Sequence, residues 1–437
     1  MNRLQKKVTN INIVFALLTL FLYFMYRVFN TFLVSLPKGD EHSFLRIFKI
    51  FLEKGYNEAN LYGNSTLFNV FSSIFYKMGA NELMSLKITS LICGLISLLL
   101  VFYFQKKHFS HLPNIYRYIA SITSLNVLVV SSILFNGIND LILVVLVLVF
   151  FIILYRFKEV KTLNSWLFVS IGFLFALMLL TRLMSILFIF PMILLLTIML
   201  YSMNIPLKKI FLKSVISILV LFTLLMVFNY PSLNENGTLS FHEKKLSYEE
   251  DVNWIQLQYL SETGYEEGML KYGKHYTPKQ VAIFLENNGK SSLPSSTIEA
   301  IFFDLKRTIH VFIREFVFLV KPFTRLIGVL FVFNFFLFIN LMTKKKLSIK
   351  KIIKQEILLF SFIYICSLCI VINSYMEPRW LISVFLLLPI VFVDKAYNFE
   401  IENRKSNKFR FILLNLHLLA IVCMNIPYLY KNFNLFF

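Results

Sequence analysis

Apolar runs of about 20 residues recur along the chain, separated by short charged connections. Stretches such as 141–154 and 183–200 are continuous and lack the period-two alternation of a barrel strand, so they read as helices. A helix of about 20 residues crosses the hydrocarbon core of a bilayer. In lipid only helices or closed barrels satisfy their own backbone groups. The pattern predicts an all-α polytopic membrane protein with about eleven spans, near 11–34, 83–104, 114–134, 138–155, 165–181, 183–202, 214–229, 322–342, 356–373, 381–397 and 410–428. The turns inside 114–155 and 165–202 are only a few residues long.

Two longer polar segments, about 35–82 and 230–321, interrupt the runs and keep helical patterning of their own. After Glu41, the charges Arg46, Lys49 and Glu53 recur at three- and four-residue spacing, and Phe44, Leu45, Ile47, Phe48, Phe51 and Leu52 fill the other faces. That predicts an amphipathic helix on the membrane surface, stopped by Gly55. A second such helix runs from Thr66 to Met78, with Asn69, Ser72, Ser73 and Lys77 as its polar side and Gly79 after it. In the later segment Thr277-Pro278 reads as a helix start, cap then first-turn proline. Ser295 or Ser296 starts another helix, continuing through Asp304, Lys306 and Arg307 toward the next span. The chain thus divides into a transmembrane module, 1–229, an external loop, 230–321, and C-terminal spans, 322–437.

Composition agrees with the pattern: 57% of residues are hydrophobic and the mean hydropathy is +0.69, well above a soluble domain. A net charge of +20 would admit a nucleic-acid partner, but its distribution argues against one. The basic residues cluster at every second connection: Lys106 and Lys107; Arg156, Lys158 and Lys161; Lys208, Lys209 and Lys213; Lys344, Lys345, Lys346, Lys350, Lys351 and Lys354; Arg404, Lys405, Lys408 and Arg410. This is the positive-inside pattern. It puts the N-terminus in the cytoplasm of a multi-pass cell-membrane protein, both long polar segments outside, and anionic lipid beside the clusters. The first apolar run is too long for a signal-peptide core and reads as a retained span. Cys93, Cys366, Cys369 and Cys423 lie in apolar runs; the CxxC spacing of Cys366 and Cys369 has no second pair or nearby His and reads as helix packing.

Charges that interrupt apolar sequence away from the basic clusters are costly, about 2.5–3.5 kcal/mol at a helix centre, and therefore informative. Asp140 sits in "LFNGINDLIL", Arg182 in "LLTRLMS", Glu377 and Arg379 in "NSYMEPRWLIS", and Asp40, Glu41 and His42 at the outer end of the first span. The topology puts all of them on one face, where carboxylates and guanidinium groups would converge on a polar cavity. Each also has a plainer explanation. An acid before a helix favours its N-terminus, which suits Asp140 and one carboxylate of the Asp40-Glu41 pair, and Arg182 could snorkel to the interface. Three consecutive residues do not converge on one metal, so His42 is better read as a hydrogen-bonding neighbour than as a ligand.

The stretch Gly39-Asp40-Glu41-His42, then "SFLRIFKIFLEKG", then "NSTLFNVFSSIFYKMGANELMSLKITSLICGLISLLLVFYF" resembles the first external loop and second span of the GT-C glycosyltransferases. It is most similar to the branch of protein O-mannosyltransferases and lipid A aminoarabinose transferases (family 39 and its relatives). That branch carries an Asp-Glu pair after span one, two juxtamembrane helices, and a Gly followed by Arg or Lys leading into span two, here Gly79 and Lys87. "LLTRLMSILFIFPMILLL" is similar to its Thr-Arg turn before a proline-containing span, and "EPRWLISVFLLLPIVF" to its late Arg-Tyr segment, with Trp380 where Tyr is usual. "LYGNSTLF" replaces the family's His/Pro-rich stretch, and the loop 230–321 matches no subgroup.

The resemblance implies transfer of a sugar from a polyprenyl-phosphate donor to an acceptor hydroxyl on a glycolipid, glycan or protein, on the non-cytoplasmic face and with inversion. It implies Asp40 as the base, with Glu41 orienting or substituting. Arg379, Arg182 and Lys87 would meet the donor phosphate, Asp140 and His42 would position substrate, and no cofactor is required. Some family members use a divalent metal, but the sequence shows no second acidic cluster with ligand spacing. Two alternatives remain open: a flippase or exporter of lipid-linked sugars, and an O-antigen-type polymerase or ligase working through the loop 230–321. The residues of interest on one face and the lack of a repeat weigh against a transporter.

Overall fold

The computed structural model describes residues 3–33, 36–63, 65–131, 133–160, 164–237, 239, 252–343, 355–371, 376–402 and 407–433. Lys161, Lys344, Lys345, Lys346, Lys350, Lys351, Lys354, Arg404 and Lys405 lie outside them. The first half of the chain forms α1 (Arg3–Leu33), α2 (Glu41–Lys54), α3 (Tyr56–Tyr62), α4 (Thr66–Lys77), α5 (Glu82–His108), α6 (Asn114–Val130), α7 (Asp140–Val160), α8 (Ser165–Thr181), α9 (Ile186–Ser202) and α10 (Leu207–Asn236). The second half forms α11 (Trp254–Glu266), α12 (Pro278–Asn288), α13 (Thr297–Phe303), α14 (Leu305–Phe318), α15 (Val320–Ile327), α16 (Val329–Thr343), α17 (Glu356–Ile370), α18 (Ile382–Glu402) and α19 (Asn407–Phe433). Among the described residues there is no strand.

Among the described residues, seven segments have the length and apolarity to cross a membrane, corresponding to α1, α5, α7, α9, α10, α18 and α19; α8, α16 and α17 contribute shorter apolar helices. The protein is an all-helical, multi-pass membrane protein. Buried α18 is its axis, packed on α6, α7, α16 and α17. Polar side chains tie the helices where hydrophobicity alone cannot, since lipid is as apolar as leucine. Asn425 donates to Asn126 at 2.9 Å, Asn126 donates to the Leu326 carbonyl at 2.9 Å, and Thr123 meets His417 at 2.8 Å.

The predicted short helices form where their caps stand. α2 ends at Gly55, whose φ of 87° suits glycine. α12 starts at Thr277, which forms a reciprocal capping box with Gln280. Three expectations change. The polar side of α4 is split: Asn69 and Ser72 are buried and Ser72 meets Thr89 of α5 at 2.9 Å, while Ser73 is half-buried, Lys77 is exposed, and so are Val70, Phe71 and Ile74. The helix begun at Ser296 stops at Asp304, which leaves helical φ/ψ and caps α14 through the Arg307 amide. The run 322–342 is not one helix, because it breaks at Gly328 (φ 66°), close against His417.

The domain boundary at 229 falls inside α10, which continues to Asn236 despite Pro231. Asn60 of α3 explains this. Its amide donates to the Phe228 carbonyl at 3.2 Å and accepts from the Ser232 amide at 3.3 Å, substituting for a helix bond beside the proline. Beyond α10, helices α11 to α13 enclose a small second core of Leu257, Tyr259, Leu260, Val281, Leu285 and Leu293. The boundary at 322 likewise falls within α15.

Candidate functional site

Four separate stretches of chain bring charge to one end of the helix bundle. Asp140 opens α7, where the helix N-terminus favours a carboxylate. Arg182 ends α8 in extended conformation before the 3₁₀ turn Leu183–Ser185. Arg379 sits in the 3₁₀ turn Pro378–Leu381 that leads into α18. Asp40 precedes α2 and makes no side-chain cap bond, which removes the capping explanation.

These groups form one chain of ion pairs. Arg182 pairs with Asp140 Oδ1. The other Asp140 oxygen lies 3.5 Å from Arg379 Nη1. Arg379 Nη2 donates to Asp40 Oδ2 at 2.5 Å and to Glu377 Oε1 at 2.9 Å. Asp140 is buried, whereas the Asp40 side chain is 44% exposed. The two arginines are thus shared by three carboxylates, of which Asp40 is the most exposed and Glu377, at 31%, the next.

Beside them lies a narrow cleft lined by the polar Asp140, Arg182, Arg379, Trp380 and Ser383 and by the largely apolar Leu143, Met184, Leu187, Phe188 and Tyr364. Its volume of about 20 Å³ holds a single water. Phe188 stacks on Tyr364 at 3.9 Å, and the Tyr364 hydroxyl donates to the Trp380 carbonyl at 2.7 Å. Trp380 Nε1 and Ser383 Oγ are buried and make no hydrogen bond among the described residues. Two unused donors therefore stand beside two guanidinium groups, a setting for an oxyanion or a polyol.

Glu41, expected beside Asp40 in function, takes a different path. It is buried, accepts from the Lys38 amide at 2.9 Å and the Gly137 amide at 2.7 Å, and lies 3.9 Å from Lys87. Glu41 and Lys87 make a buried pair that pins α2 to α5 and to the turn before α7, and neither lines the cleft. His42 is exposed, with no side-chain hydrogen bond among the described residues. The structure thus gathers Asp40, Asp140, Arg182 and Arg379 and leaves out Glu41, Lys87 and His42. It also keeps Glu377, on Arg379, and adds Tyr364, Trp380 and Ser383.

A second polar cluster holds α11 and α14 to the segment that carries Arg379. Arg314 of α14 pairs with the buried Glu262 of α11 and with Glu315 at 2.7 Å, and stacks on Tyr265 and Tyr272. The Tyr272 hydroxyl donates to Glu315 at 3.0 Å and accepts from the Met376 amide at 3.4 Å. Burial, then the Glu315 carboxylate, pushes the Tyr272 phenol up, which keeps it a donor. Its signal was present: Glu262 and Glu266 one turn apart on α11 match Arg307 and Arg314 two turns apart on α14. Among the described residues no three His, Cys, Asp or Glu side chains converge as metal ligands.

Fold and site define a multi-pass helical membrane protein with a charged cleft at one end of its bundle. Compared with models of known families, with curated proteins and with solved structures, the chain matches none.

Proposed function

We propose that the chain is a GT-C-type membrane glycosyltransferase that moves a sugar from a polyprenyl-phosphate donor to an acceptor hydroxyl at the cleft. The observation that carries this reading is the meeting of Asp40, Asp140, Arg182 and Arg379, from four separate stretches of chain, beside apolar side chains. The lining joins guanidinium groups to apolar side chains, the chemistry an amphiphilic phosphate ester needs, and the cleft must widen from its single-water volume to admit one. Eleven crossings, the N-terminus in the cytoplasm and the cleft on the opposite face belong to the same reading. The alternation of ion pairs supports it: Lys158–Glu356 and Arg410–Glu400 join the other ends of these helices, beside the basic connections.

The acceptor oxygen attacks the anomeric carbon, the bond from that carbon to the phosphate oxygen breaks, and its electron pair leaves with the polyprenyl phosphate. Asp40 takes the acceptor's proton. Arg379 and Arg182 stabilise the charge that develops on the leaving phosphate. Arg379 is held by Asp40. On this reading donor phosphate competes with that carboxylate for the guanidinium while Asp40 takes the proton. The step as written needs no cofactor.

Mass spectrometry of envelope glycolipids and polymers tests this in cells carrying wild type, a deletion, or Asp40→Asn. The expected result is loss of one sugar in both mutants, with lipid-linked donor accumulating. If the deletion loses the sugar and Asp40→Asn keeps it, export of a lipid-linked sugar replaces the transferase reading.

A further inference from the structure

Helices α13 and α14 carry a face that a loop in water does not need. Ile298 and Phe302 of α13 and Leu305, Ile309, Ile313 and Phe316 of α14 are exposed and recur at three- and four-residue steps within each helix, so an apolar stripe runs along each on either side of the Asp304 break. Ile298, Ile309 and Ile313 are 72%, 60% and 56% exposed. The opposite face carries the buried Ala300, Thr308, Val311 and Glu315. Contiguous exposed apolar surface of this kind marks an interaction site.

What covers it follows from continuity and charge. α14 packs along α17 and leads through α15 into α16, whose exposed Phe335, Phe336 and Ile339 face lipid if α16 spans. The stripe is therefore an extension of a lipid-facing surface. Lys306, His310 and Lys321 are exposed along its border, where long basic side chains reach lipid phosphates while their stems stay on apolar surface. We propose that α13 and α14 lie in the bilayer interface on the cleft's side, with this stripe among acyl chains and Lys306 and Lys321 at the headgroups. The proposal rests on the membrane assignment and not on the transferase reading. It gives α14 two duties: one face seats the external helices on the leaflet, and the other, through Glu315, Tyr272 and the Met376 amide, holds the segment bearing Arg379 at the height of that leaflet.

The test is nitroxide accessibility in the full chain, reconstituted in nanodiscs of phosphatidylcholine and phosphatidylglycerol. One label is placed at a time on Ile309→Cys, Ile313→Cys or, as a control on α12, Lys279→Cys, with the native cysteines replaced. The substituted positions are all exposed, so the fold tolerates a label there. Labels at 309 and 313 are expected to collide with oxygen more than with a water-soluble nickel chelate, with the order reversed at 279. A preference for the nickel chelate at 309 and 313 means water covers the stripe and overturns the proposal. Exclusion of both colliders means protein covers it, as in contact with a second copy, and overturns it equally.

Discussion

Asp40 and Glu41 are adjacent in the chain and opposite in role. Successive helical residues point about 100° apart, so a pair at a helix start serves two directions. Asp40 turns to Arg379 and solvent, Glu41 into the packing against Lys87. Removing one partner of a buried pair strands the other charge and costs about 3–5 kcal/mol. Glu41→Ala is therefore expected to lower the thermal midpoint of the detergent-purified protein sharply. Asp40→Asn, at a half-exposed pair worth less than about 1 kcal/mol, should melt like wild type while losing turnover. Equal melting of the two variants would contradict this division. Arg379→Ala should weaken donor binding and turnover together, read by titration with a polyprenyl phosphate; unchanged affinity removes Arg379 from the phosphate site. Every charged member of the cleft was legible as a charge out of place in apolar sequence. Trp380 Nε1 and Ser383 Oγ were not, because an unused donor is visible only once its neighbours are placed.

The elements formed where caps and glycine punctuation put them, and departures came where a tertiary partner replaced a local rule. Asn60 carries α10 past Pro231. α4 turns Ser72 inward because it finds Thr89, and its polar side is split. In α11 and α14, Glu262 and Glu315 share Arg314, so one buried carboxylate exceeds the available cation. Burial outweighs Arg314 and pushes the Glu262 carboxyl up. A folded pKa above the unfolded one contributes stability that is full below the unfolded value, about 4.3, and is lost as pH rises through the folded value. Relative to Glu262→Gln, wild-type α11 and α14 should thus lose stability as pH rises from about 4.3 toward neutrality, followed by fluorescence of Trp254. A wild type that gains on the variant over that interval would show that the ion pair dominates instead.

For the whole molecule, two belts of ion pairs separate the cleft end from the end with the basic connections. Under the positive-inside rule the end with the basic connections is expected in the cytoplasm, and labelling tests that expectation. A cysteine at Lys279 should react with a membrane-impermeant maleimide in intact cells, and one at Lys209 only after permeabilisation. The reverse pattern would put the cleft in the cytoplasm and remove a donor displayed outside. The cleft also crosses the expected division of the chain: Asp40, Asp140 and Arg182 come from the first 229 residues, but Arg379, Glu377 and Tyr364 from the last segment. The module 1–229 alone does not contain a complete site.

By itself the sequence determined the all-helical membrane class and the starts of several short helices, because lipid demands long apolar helices and because caps and glycines act over a few residues. It also marked which charges stand out of place, since burying a charge is expensive wherever it happens. Only the tertiary structure decided which of them meet. Asp40 and Arg379 are 339 positions apart, and Glu41 leaves its neighbour for Lys87 and the Gly137 amide. Pairing across such distances depends on how helices pack, and packing is set by the whole set of contacts rather than by any local pattern.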